Sequence, residues 1–571
     1  MASNITNTSE DKRFFAGIAL VILSGMLLYV KSLGYDFVWD DKLLIVNNHW
    51  VTASDSIWQT LIHGTHLNTY WRPLTMLSFY LNYQVAGLAP WVFHATQLLL
   101  HAFVIFLIIV WAWLLTENRR IALLAGLLFA LHPMVSETVC FISARCNQFA
   151  TIGFLGALIG SHLIYAGRIQ KGVVVYILAA FVGIWAKESG VLLLLIPAMY
   201  WLYGALSKQS FSSVKHLWKP YAGVTFAGIA IAVLYVVVRV TLISNIDTSS
   251  VLKTGDNLLV NIVYRLPYWI GQILLPVFSK SDYYFFNKQQ LAYQQILISA
   301  VSTIFIIAGI VLLWRKKQWS WLLNILLFLM VISPFLGFVS TKGRAFSESW
   351  IYMALPFFTL PLAALLYHAF YTYGWRKLTV VLLVGLVAGY GALSLSHMEK
   401  WRTQRTLFVT ALEADPDNPK NLLGYGNLLS EEGDTEGAKK VYWHIIEHMP
   451  EFEKNYDLLS LLYLQEKDFE NAEKVARLGL KNAAIKDRIY GVLATVLMQS
   501  NRFEEALEVL LKAPDSLKFA EKKRLLAAVL LQLGRTQEAL DTLEQYVQQY
   551  PADTGAKKFY QALRKKQGSS K

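Results

Sequence analysis

The chain has 571 residues, of which 55% are hydrophobic, 14% aromatic and only 16% charged, with a formal net charge of +13. That balance is too apolar for a soluble globular protein of this length and describes a polytopic membrane protein. Its basic residues are scattered over separate short loops, which argues against a nucleic-acid footprint.

The apolar residues are unevenly spread: long apolar runs fill 13–398, whereas 400–571 are charged and hold no spanning segment. A bilayer core takes about 20 apolar residues per helix. On that ruler eleven spans are expected, near 13–33, 91–116, 119–135, 148–166, 173–187, 190–206, 220–243, 292–313, 319–338, 350–371 and 377–397. The first follows Lys12 and Arg13 without a clear small-residue cleavage site, so it reads as an uncleaved signal anchor.

Some 57 residues separate the first two spans, opening with "YDFVWDDKLLIVNNHWV" at 35–51. The adjacent Asp40 and Asp41 stand at the membrane edge, where they either carry a function, cap the next helix or remain solvated. Further on, "SDSIWQTLIHG" (54–64) starts with a serine cap and sets Ile57, Trp58, Leu61 and Ile62 on one face. In "WRPLTMLSFYLNYQV" (71–85) Pro73 stands at a helix start. Both segments suit helices lying in the membrane surface.

Cys140 and Cys146 follow in an outward loop, where a disulfide is open to them. The stretch 257–278 is apolar but carries Arg265 and two prolines, and reads as interfacial or re-entrant. With that choice the short loops on one side are all basic: Lys12 and Arg13, "ENRR" at 117, "GRIQKG" at 167, Lys208 with Lys215 and Lys219, "WRKK" at 314 and "GWRK" at 374. By the positive-inside rule the N-terminus is then cytoplasmic, and Asp40, Asp41 and everything after 400 face outward.

The soluble part contains a repeat. Small residues recur at Gly426, Ser460, Ala494 and Ala527, and alanines at Ala438, Ala472, Ala506 and Ala539, each series stepping by 34, 34 and 33 residues. This spacing defines a tetratricopeptide α-solenoid of four repeats over about 419–552 with a polar capping helix. Three parts follow: a membrane domain over 1–398, a linking helix over 399–418 and the repeats over 419–571. The fold class is all-α, a polytopic membrane bundle with interfacial helices followed by a solenoid. The array would present a concave surface to a polypeptide.

Several motifs, in this order, carry a family likeness: "FVWDD", "YWRPLTMLSFYLNYQVAGLAPWVFHATQLLLHA", "ALHPMVSETVCFISARCNQFA", "AKESG" and "SESWIYMALP", then a tryptophan and the repeats. Together they resemble the transmembrane O-mannosyltransferases with tetratricopeptide repeats that modify cadherins and, more distantly, other glycosyltransferases of the GT-C fold. The resemblance implies a polyprenyl-phosphate sugar donor, a protein acceptor on the outer side and inversion at the sugar carbon. It implies no metal or other cofactor. The short array suggests a bacterial relative, which would place the chain in an inner membrane with its repeats periplasmic; a eukaryotic one would lie in the ER membrane.

Transfer to a hydroxyl needs a carboxylate to take the proton and cations to stabilise the departing phosphate. By resemblance to the family's acidic pair, Asp40 is the expected base and Asp41 its partner. The outward cations open to the phosphate are Arg72, Arg145, Lys187, Arg265 and Arg344. His132, Glu137, Glu188, Glu348 and Tyr352 complete the site candidates, although Lys187 with Glu188 also reads as an ion pair at a helix break and His132 as a hydrogen-bonded structural residue.

Two positions depart from the family. Asn147 stands where an acid is usual, and Ser349 follows Glu348 where an arginine is usual, with Arg344 the nearest replacement. Two alternatives compete: a GT-C enzyme acting on lipid, pilin or surface polysaccharide with the repeats as a docking scaffold, and a non-enzymatic membrane scaffold or transporter. A transporter would show internal repeats and ionisable groups at mid-membrane depth, whereas here charge gathers at one surface.

Overall fold

The computed structural model describes residues 9–53, 56–63, 70–208, 210, 212–242, 265–266, 269–274, 276, 293–336, 347–484, 486–514, 522–549 and 554–568. Arg344, and 257–278 for most of its length, lie outside them. The chain divides into two compact units, Met1–Leu407 and Phe408–Lys571.

The first unit is a helical bundle of membrane type. Among the described residues eight helices are long and apolar enough to cross a bilayer, and nine if the bent pair Arg119–Leu131 and Pro133–Cys140 forms one span. Two more expected spans coincide with the 23-residue helix Tyr293–Arg315 and the shorter Pro356–Tyr371. Large apolar side chains point outward, Phe226 at 74% exposure and Leu20 at 68%, which water would penalise and lipid tolerates.

Both expected surface helices form. Ile57–His63 begins after Ser56, whose hydroxyl accepts from Trp58 N at 3.3 Å and so caps the helix. Ile57, Trp58 and Ile62 all stay exposed, as a helix resting on lipid requires. Pro73–Ala86 carries its proline in the first turn. Its leading Trp71 is buried against Tyr235 at 5.3 Å, while the Tyr235 hydroxyl donates to the Trp71 carbonyl.

At the basic end of the bundle, Arg119 pairs with Asp11 and Arg120 lies over Tyr371. At the other end the packing is closest around three glycines. A Cβ on Gly190 would fall 2.0 Å from the Gly183 carbonyl oxygen, and one on Gly153 would fall 2.4 Å from the Gly183 Cα. Only hydrogen at these positions lets three backbones touch, and this seats the break between Ile169–Ala186 and Glu188–Leu195 against Arg145–Tyr165.

The second unit is built from helix pairs in series: Pro419–Glu431 with Thr435–His448, Lys454–Gln465 with Phe469–Asn482, Asp487–Gln499 with Phe503–Lys512, and Lys522–Gln532 with Thr536–Gln549, followed by Thr554–Gly568. The small residues lie where paired helices meet. Gly426 faces the Tyr442 ring with no room for a Cβ, and the Ser460 hydroxyl donates to the Ala472 carbonyl at 2.7 Å. Lys439–Glu466 and Arg502–Glu473 ion pairs join consecutive repeats.

Candidate active site at the acidic loop

After the first long helix the chain turns through Val30–Gly34 and enters the acidic pair through Trp39, held at φ 49°. A bulky residue rarely adopts this left-handed conformation, and such strain clusters at functional sites. The two aspartates have different surroundings. Asp40 is half-buried and Asp41 is fully buried. Asp41 precedes the turn Lys42–Val46 but makes no side-chain cap to it. Its carboxylate instead accepts from Val38 N at 3.2 Å and from Ser143, N at 2.7 Å and Oγ at 2.5 Å. Burial pushes its pKa up to about 7 from an ordinary 3.8, against the pull of those hydrogen bonds. The folded carboxyl therefore keeps a proton that the unfolded chain releases near 3.8, so this group costs stability progressively as pH rises from about 4 to about 7.

Ser143 opens a five-residue stretch, 143–147, that organises the site. Arg145 is fully buried over the Phe79 ring; its Nε donates to Gln97 Oε1, Nη1 to Ser78 Oγ and Asn82 Oδ1, and Nη2 to the Phe93 carbonyl, all within 2.9 Å. Cys146 Sγ accepts from Arg72 Nη1 at 3.5 Å, and Asn147 Oδ1 accepts from Lys187 Nζ. One turn at the start of a helix thus holds Asp41 on one side and touches Arg72 and Lys187 on the other. Cys140 and Cys146 are both buried and free, so no disulfide joins them.

The ion pairing differs from the sequence expectation. Glu188 pairs with Arg72, at 3.0 Å from Nη2, and not with its neighbour Lys187. Lys187 lies over the Phe335 ring at 5.5 Å, its hydrogen-bond partner a neutral amide. Arg265 donates to the Phe335 carbonyl at 3.2 Å, so Lys187 and Arg265 meet the same residue. Arg145 stands apart from these three, because its guanidinium is directed into the protein.

The remaining candidates form a buried frame. Glu137 accepts from Ser347 Oγ at 2.8 Å and from Ser349 N at 3.1 Å. Glu348 is fully buried and pairs with Lys400 at 2.8 Å, with His397 at 3.8 Å. Tyr352 OH meets His101 Nδ1 at 2.8 Å. His132 bonds backbone through both ring nitrogens, to the Ile273 carbonyl and from Met134 N, as a structural histidine does. Sequence reasoning missed Ser143 and Lys400. The cation beside Glu348 comes from 52 residues downstream, not from the adjacent position.

Fold and site together define a polytopic helical membrane protein with an acidic pair and a cation cluster at one end, followed by a tetratricopeptide array. The known proteins it resembles are protein O-mannosyl-transferases. The chain is 24% identical over 465 residues to protein O-mannosyl-transferase F38B6.6 of Caenorhabditis elegans, an alignment covering 76% of this chain and 63% of that one. It is 32% identical over 189 residues to human protein O-mannosyl-transferase TMTC2, covering 31% and 23%, and 27% identical over 207 residues to Drosophila melanogaster Tmtc1, covering 35% and 24%. The alignments thus span from about a quarter to less than two thirds of these relatives. No family model matches the chain. Among solved structures, a TPR protein of Thermus thermophilus aligns at 20% identity and a TM-score of 0.25, covering 30% of this chain and 93% of that one.

Proposed function

We propose that this chain is an integral-membrane glycosyltransferase that moves a sugar, of mannose type, from a polyprenyl phosphate to a hydroxyl of a protein acceptor on the outer side of the membrane. The observation that carries this reading is the stretch 143–147, which links a carboxylate pair to a cation cluster. Asp40 takes the proton from the acceptor hydroxyl as its oxygen bonds the sugar carbon. The bond from that carbon to the phosphate oxygen breaks on the opposite face, which inverts the centre. Lys187, Arg72 and Arg265 stabilise the departing polyprenyl phosphate. Asp41, fixed by Ser143, orients Asp40. The repeats hold the polypeptide acceptor.

The test is purified protein with polyprenyl-phosphate mannose and a hydroxyl-bearing peptide, with the product identified by mass spectrometry and its anomer by NMR. An inverted glycopeptide is expected. Transfer from a soluble nucleotide sugar alone, or a retained anomer, would overturn the reading.

Two consequences test its parts. Asn147→Asp restores the acid usual at this position but neutralises Lys187. Donor KM should then rise on the order of tenfold, the scale of one weakened charge-assisted contact, with kcat little changed; an unaltered donor KM would remove Lys187 from the phosphate site. Transfer should also fall as pH drops below about 7, where Asp41 gains its proton, the limb belonging to the coupled pair. Ser143→Ala deletes a hydrogen bond that favours the charged form, so that limb should move to higher pH. A profile that stays in place would separate Asp41 from the rate.

A further inference from the structure

We infer that the short segment leaving the last long helix, 397–402, is a clasp that positions the acidic loop, with Glu399 and Lys400 as its positioning residues. This rests on the reading of Asp40 as base. The segment reaches three separate parts of the bundle. Toward the acidic loop, Glu399 takes an ion pair from Lys31 and a hydrogen bond from the Tyr35 hydroxyl at 3.3 Å, and the Arg402 carbonyl accepts from Asp36 N at 3.0 Å. Toward the organising stretch, Trp401 stacks on Phe141 at 4.9 Å, rings inclined by 16°, two residues before Ser143. Toward the third wall, Lys400 donates to the buried Glu348 at 2.8 Å.

The acidic loop is therefore pinned twice. At 31, 35 and 36 it is tied to the clasp, and at 38 and 41 the Asp41 carboxylate ties it to itself and to Ser143. Asp40 hangs between the two pins, directly after the strained Trp39. A strained turn keeps its geometry only when its surroundings over-determine it, and the clasp supplies one set of those restraints. Lys400 is itself 6% exposed and Glu348 is not exposed at all. Such a desolvated pair has a fixed geometry, unlike an exposed one.

The experiment combines a side-chain variant with a cross-link. Lys400→Met should lower kcat by roughly 10- to 10²-fold, the cost of misplacing a reacting group by about an ångström, with KM for polyprenyl-phosphate mannose and for acceptor peptide within about twofold. Lys400→Arg, which keeps charge and reach, should recover most of the rate. A Lys400→Met protein that melts like wild type and retains its kcat overturns the inference. The exposed side chains at 36 and 402 allow a second measurement: Asp36→Cys with Arg402→Cys should form a disulfide, and the cross-linked enzyme should turn over at nearly the reduced rate. No cross-link, or a cross-linked form that is inactive until reduced, also overturns it, even where Lys400→Met does not fold. Wild-type transfer by Asp40→Asn would sink the base assignment instead and leave the cross-link result untouched, so the two failures are separable.

Discussion

Asp40→Asn should transfer sugar at least about 10²-fold more slowly than wild type while accumulating normally in the membrane. The amide keeps the size and hydrogen-bonding capacity of the carboxylate but cannot accept the proton, and general-base catalysis contributes on this scale. Asp41 cannot take over. Its oxygens are already committed to Val38 and Ser143 in full burial. Stability should be spared, because Asp40 is only half-buried. The measurement is single-turnover transfer with donor lipid and peptide. Wild-type rates would remove Asp40 as base, and an Asp41→Asn enzyme that is folded but dead beside an active Asp40→Asn would exchange the two roles.

The second large effect falls on folding. Arg145→Met should sharply lower both yield and melting temperature in detergent. The substitution strands the side-chain oxygens of Gln97 and Asn82 in a buried space and removes the bonds to Ser78 and the Phe93 carbonyl, and each stranded polar group costs about 1–3 kcal/mol. A wild-type melting temperature combined with lost donor affinity would instead return Arg145 to the phosphate site.

What the sequence displays and what it hides follow from one physical distinction. Spans, surface helices and repeats are written in local periodicity, so residue spacing was enough to place Pro73–Ala86 and the helix pairs after 418. The acidic pair stands out because two carboxylates at a membrane edge are costly. Partnerships between single polar side chains are different: Ser143 meets Asp41 across 102 residues and Arg72 meets Glu188 across 116. No periodicity encodes such pairs, which exist only once helices have packed. The Lys187–Glu188 expectation failed for this reason, since neighbours at a helix break point to different walls. Asn147, a departure from the family when read alone, becomes intelligible only beside Lys187.

The boundary of the first unit has a bearing on how such membrane proteins can be taken apart and recombined. Hydropathy would place the cut near 398, where the last apolar run ends, but the compact unit extends to Leu407. A chain shortened at 398 loses Glu399 and Lys400 together with the Trp401 stack, so its inactivity would be charged wrongly to the missing repeats. A hybrid that joins this membrane unit to another protein's array meets the same constraint. The nine residues 399–407 therefore stay with the membrane unit in any such exchange.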